Sequence, residues 1–145
     1  MHIISKSEKE TLEIAKKVGF YIKDNFGIKI GFTGDLGAGK TCFIKGVMSV
    51  ILKNINVTSP TYSIMDEYEY KKRKIYHVDL YRINSIDELF GTGFLEVFND
   101  INNTFLIEWS DRLKNLNLDV KINIINLSKT ERKIIIEGIE DKNII

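Results

Sequence analysis

The chain has 145 residues, of which 43% are hydrophobic and 28% charged, the proportions of one folded globular domain spanning 1–145. Its 21 basic and 20 acidic residues give a net charge of +1, so no global basic field draws it to DNA or another polyanion. Cys42 is the single cysteine, which excludes an internal disulfide and a thiolate zinc cage. No signal-peptide pattern follows Met1 and no run of about 18 apolar residues occurs, so a cytoplasmic protein without a membrane partner is expected.

In chain order, Ser7 and Glu10 have the spacing of a capping box. Behind them Leu12, Ile14, Ala15, Val18 and Ile22 recur with helical period, so 8–25 reads as an amphipathic helix ended by Gly27. The segment 28–33 is short and rich in β-branched residues, as a buried strand is. A glycine-rich turn follows, then a second helix carrying Phe43, Val47, Val50, Ile51 and Leu52. Extended stretches are expected near 61–70 and 74–82, with the charged run 71–74 as a hairpin turn between them. Short helical patterns broken by Gly91 and Gly93 fill 85–98, and 104–108 is an apolar strand. Two antiparallel strands, 118–127 and 131–137, close the chain around a polar turn at Ser128-Lys129-Thr130. Early alternation of helix and strand followed by paired strands implies a three-layer α/β domain with a mixed central sheet.

Gly34-Asp35-Leu36-Gly37-Ala38-Gly39-Lys40-Thr41 matches G-x-x-x-x-G-K-[ST] between an expected strand and an expected helix. Glycines let such a backbone curl so that successive N–H groups point at phosphate oxygens, and the following helix N-terminus adds partial positive charge. Lys40 is expected at the β- and γ-phosphates and Thr41 on Mg²⁺. Cys42, one residue past the loop, is expected to pack. The fold expected is therefore P-loop NTPase-like.

Such a loop works with a carboxylate at the end of a nearby strand to hold the metal, and with a group that positions water. Asp79 ends one expected strand and Glu108 another; residue types alone leave the two roles unassigned. His77 alternates with Asp79, as a residue on the same face does, although a core histidine is the commoner reading. Arg82 is placed either to approach phosphate or to pair at the sheet edge. Ser59-Pro60-Thr61 holds the only proline, where nucleotide-binding domains often carry a segment that senses the γ-phosphate.

GDLGAGKT at 34–41, TSPTY at 58–62, HVDLYR at 77–82, EL at 88–89 with Gly93, and IEW at 107–109 together resemble the TsaE (formerly YjeE) family. These are small bacterial P-loop ATPases required for threonylcarbamoyladenosine modification of tRNA. The resemblance runs in order along nearly the whole chain. It implies an ATPase using ATP and Mg²⁺, with Lys40 and the loop residues Gly34, Asp35, Leu36, Gly37, Ala38 and Gly39 around the phosphates. Thr41 and Glu108 are implied as Mg²⁺ ligands, Asp79 as the acid assisting hydrolysis, and Thr61 as a switch-like threonine facing the γ-phosphate. Trp109 is implied near the site and a partner surface, with Thr11 and Arg132 near the nucleotide base. Cys42 stands where the family often has a second hydroxyl residue. The implied partner is the TsaB–TsaD pair, in which TsaD transfers the threonylcarbamoyl group to adenosine 37, so the link to tRNA is indirect. A small-molecule kinase is the alternative, against which 83–103 holds no arginine or lysine for a lid. A nucleotide-dependent regulatory module that barely hydrolyses is the other.

Overall fold

The computed structural model describes residues 1–61 and 63–145. Seven strands form one sheet in the order β1-β7-β6-β2-β5-β4-β3. They are β1 (His2–Ser5), β2 (Lys29–Thr33), β3 (Met65–Tyr70), β4 (Arg73–Asp79), β5 (Thr104–Glu108), β6 (Val120–Asn126) and β7 (Arg132–Glu137). The central four, β6-β2-β5-β4, run parallel, and antiparallel pairs flank them on both sides. This mixed α/β architecture agrees with the fold expected from the sequence.

Helices α1 (Glu8–Asp24) and α2 (Lys40–Ile51) pack together on one face of the sheet. Ser7 caps α1 by accepting from the Glu10 N–H at 3.1 Å, while the Glu10 carboxylate accepts from the Lys6 N–H at 2.7 Å. This variant of the capping box satisfies two backbone donors and starts the helix where the pattern required. The apolar stripe Ala15, Val18 and Ile22 then meets α2, where Gly46 has no side chain and lets the two backbones approach closely.

Beneath the helices lies a core of Ile30, Phe32, Phe43, Val47, Leu106 and Ile122, all fully buried. The other face is covered over β4 and β5 by α3 (Phe94–Phe98) and 3₁₀ turns at Ile86–Leu89 and Ser110–Arg112, around Phe94, Phe98 and Phe105. This third layer is thin, made of single turns instead of full helices.

Several boundaries shift from the sequence expectation. β1 was not anticipated: its four residues are too short for a periodic signal, and pairing with β7 makes them a strand. The stretch expected from 61 becomes β3 only at Met65, and the one expected to reach 82 ends at Asp79, where the Ile83 N–H turns back to the Leu80 carbonyl. The hairpin turn is Lys71-Lys72 alone, both with positive φ, and Arg73 and Lys74 already belong to β4.

Candidate functional site

Parallel strands direct their C-terminal ends to one side, and in such sheets ligands collect there. β2 ends at Thr33 and the chain enters the glycine-rich loop. Gly34 and Gly39 both have positive φ, and a Cβ on Gly34 would collide with the Ile124 carbonyl. Gly39 precedes the first residue of α2, whose first turn carries neither a side-chain cap nor an acidic residue. Its early N–H groups lack helical carbonyl partners, which makes this end attractive to an anion.

Lys40 is buried at 5% exposure. Its ammonium donates to the carbonyls of Gly34 and Asp35 and lies 3.9 Å from the centroid of the Trp109 ring. Burial pulls its pKa down from the ordinary lysine value, opposed by the charges of Glu108, Asp111, Asp79 and Asp35.

β4 and β5 pair in parallel with Asp79 opposite Glu108 and His77 opposite Leu106. The period of two puts His77, Asp79, Leu106 and Glu108 on the helix-facing side. Glu108 is 3% exposed, and its carboxylate is thoroughly bonded. Thr41 donates to Oε1 at 2.7 Å, Ser59 donates to Oε2 at 3.3 Å, and His77 Nε2 lies 2.6 Å from Oε2. Thr41 and Ser59 hydroxyls also meet at 2.8 Å. Burial alone would raise the Glu108 pKa, but the bonds from His77, Thr41 and Ser59 prevail and hold it below the ordinary glutamate value. Asp79 is half-buried and, among the described residues, accepts one bond, from the Tyr81 N–H at 2.9 Å. Its pKa is raised, chiefly by burial and further by Glu108, with the Tyr81 bond, His77 and Lys40 pulling the other way.

A cleft of about 440 Å³ gathers Leu36, Gly37, Gly39, Lys40, Thr41, Cys42, Asp79, Glu108 and Trp109 from the expected set, together with Lys45, Ser59 and Tyr81. Gly34, Asp35 and Ala38 do not line it: the Gly34 and Asp35 carbonyls accept from Lys40, and buried Ala38 accepts a bond from the Arg132 guanidinium at 3.2 Å. Thr11 and Arg132 line a neighbouring hollow of about 280 Å³, which shares Gly39 and Cys42 with the cleft. The Thr11 hydroxyl is occupied by Ser5 at 2.6 Å. Thr61 is exposed and lines a further hollow beyond Asp79 and Tyr81, with Pro60 and Arg82. Tyr62 of the TSPTY match lies outside the described residues.

Sequence reasoning singled out the 59–61 segment but not the Ser59 hydroxyl as a partner of Glu108; only the loop's path brings it there. It also missed Tyr81, whose ring lies tilted against Trp109 with centroids 5.0 Å apart, while Arg112 approaches both rings at 5.5 Å. Trp109 has φ 58° and ψ 39°, a left-handed break that ends β5 and starts the following 3₁₀ turn.

Thr41, Ser59 and Glu108 form a cluster of oxygen donors, which suits a hard divalent cation. Among the described residues, no group of three or more His, Cys, Asp or Glu side chains is arranged to hold a metal.

The comparisons with known proteins agree along the chain. The model of the family described as "Threonylcarbamoyl adenosine biosynthesis protein TsaE" matches residues 5–134. The "tRNA threonylcarbamoyladenosine biosynthesis protein TsaE" of Rickettsia prowazekii (strain Madrid E) is 41% identical over 117 residues, covering 80% of this chain and 78% of that protein. Its counterpart in Aquifex aeolicus (strain VF5) is 34% identical over 136 residues, covering 91% and 93%. A crystal structure of Bacillus subtilus YdiB superposes with a TM-score of 0.65 at 24% identity, covering 99% of this chain and 88% of that one, and so shares the fold. Similarity sustained from the first helix into the last strands makes this chain a member of the TsaE family, which takes part in tRNA threonylcarbamoyladenosine biosynthesis.

Proposed function

We propose that this chain is an ATPase that binds ATP with Mg²⁺ and serves the TsaB–TsaD pair in threonylcarbamoyl transfer to tRNA adenosine 37. The observation that carries this reading is the convergence of the glycine-rich loop, Lys40, Thr41, Glu108 and Asp79 on one cleft. In this reading the loop N–H groups and the α2 N-terminus receive the phosphates. Lys40 leaves the Gly34 and Asp35 carbonyls to meet the β- and γ-oxygens, a short movement for a four-carbon side chain. Thr41 and Glu108 hold the metal, which when bound neutralises charge on the transferring phosphoryl group. Asp79 accepts a bond from the attacking water and turns its lone pair toward phosphorus. Its raised pKa makes it the better proton acceptor of the two carboxylates, as Glu108 has every oxygen engaged. Gly39 and Cys42 join the cleft to the hollow of Thr11 and Arg132, which takes the base in this reading.

The test is ATP-analogue titration together with phosphate release, measured alone and with the TsaB–TsaD pair. Lys40→Ala removes a charge-assisted bond worth roughly 1.5–3 kcal/mol, a loss of about 10- to 150-fold in affinity, and turnover falls further. Unchanged affinity and unchanged phosphate release would overturn the assignment. Transfer of phosphate to a small hydroxyl acceptor instead of water would favour a kinase.

A further inference from the structure

His77 is fully buried, and its Nδ1 has no hydrogen-bond partner among the described residues. A buried polar atom left unpaired is costly, so a histidine retained here has its compensation in the other ring nitrogen. Nε2 lies 2.6 Å from Glu108 Oε2, reached diagonally across the β4–β5 ladder. Facing a carboxylate oxygen, which can only accept, Nε2 is the nitrogen that donates. With Ser59 also on Oε2, this orients the carboxylate so that Oε1 meets Thr41. The last torsion of a glutamate is broad, and with Ser59 alone on Oε2 the carboxylate plane would turn more freely away from Thr41.

We propose that His77 is a positioning residue for Glu108, holding Oε2 so that Oε1 and the Thr41 hydroxyl form one preorganised oxygen pair for a divalent cation bound with nucleotide. The inference rests on the Mg²⁺-nucleotide reading above. Partners that orient a ligating carboxylate commonly change metal affinity by 10- to 100-fold. The effect therefore belongs to metal-dependent binding and not to nucleotide binding as such.

The experiment is calorimetric titration with ADP, in a Mg²⁺ series and in EDTA, on the full chain and on His77→Leu and His77→Gln. The expected result is that His77→Leu lowers the Mg²⁺ enhancement of ADP affinity by about 10-fold or more and leaves the metal-free affinity unchanged. His77→Gln, whose amide N–H reaches as far as Nε2, restores most of the enhancement. Equal loss with and without Mg²⁺, or equal behaviour of the two variants, would overturn the inference in favour of a purely structural histidine. If thermal melting shows that His77→Leu does not fold, His77→Asn replaces it: its shorter amide falls short of Oε2, so Gln but not Asn is expected to keep the enhancement, and equal behaviour overturns the inference. Mg²⁺ enhancement in the unaltered protein that persists in His77→Leu overturns the role of His77 alone. No enhancement in the unaltered protein overturns the nucleotide reading and this inference with it.

Discussion

Asp79 and Glu108 end adjacent parallel strands, opposite each other in register and on the same face of the sheet. Backbone geometry treats them alike; their neighbours do not. Glu108 lies under α2 and the 59–61 segment, where Thr41, Ser59 and His77 satisfy both oxygens and hold its pKa low. Asp79 sits at the rim with one backbone donor, beside a like charge, and its pKa is raised. Two carboxylates set apart in this way are suited to different work, the first to hold a cation and the second to handle a proton.

The sharpest way to break this contrast is to neutralise each acid in turn. Asp79→Asn keeps the bond from Tyr81 and removes the proton acceptor. Turnover should fall by about 10²- to 10⁴-fold, while ADP affinity in Mg²⁺ stays near that of the unaltered protein. Glu108→Gln should do the reverse in binding, lowering the Mg²⁺-dependent part of ADP affinity by roughly 10- to 100-fold. Exchanged phenotypes in titration and phosphate release would exchange the two roles.

The contrast also predicts opposite responses of stability to pH. The Glu108 pKa is lower folded than unfolded, so this group adds stability above the ordinary glutamate range and loses it as pH falls through the folded value. The Asp79 pKa is higher folded than unfolded, so its ionised form opposes folding, and the penalty is relieved as pH falls through the raised value. Melting temperatures at neutral pH should place Glu108→Gln below the unaltered protein and Asp79→Asn at or above it, with both gaps narrowing in acid. The same sign for both variants would remove the distinction. The smallest effect is expected for Ser59→Ala, which deletes the 3.3 Å donor to Glu108 and leaves two in place. It should cost about 0.5–1.5 kcal/mol in thermal or denaturant unfolding.

Local patterns carried much of this protein. The helical period of Ala15, Val18 and Ile22 and the Ser7–Glu10 spacing located α1 to within a residue, and the apolar run 104–108 is a wholly buried central strand. β1 escaped because four residues carry too little periodicity, and its strand state comes from β7, over a hundred residues away. The convergence of Lys40, Thr41, Asp79 and Glu108 was anticipated from the strand ends on which the acids sit. Ser59 against Glu108 was not, since a loop's path has no period to read. Thr61, expected to face the cleft, opens instead into the hollow beyond Asp79.

Residue types and short spacings set out the chemistry on offer and its order along the chain: a phosphate-type loop between a strand and a helix, then two strand-ending acids, then a tryptophan. Those features depend on residue type and on spacing within a few positions, where backbone geometry is the only intermediary. How those groups differ is a matter of long-range packing. Which acid is buried, which hydroxyl reaches it and which nitrogen of His77 faces it depend on contacts between residues 18 to 67 positions apart. Burial and hydrogen bonding set the charge state of a carboxylate, and both are properties of the assembled neighbourhood.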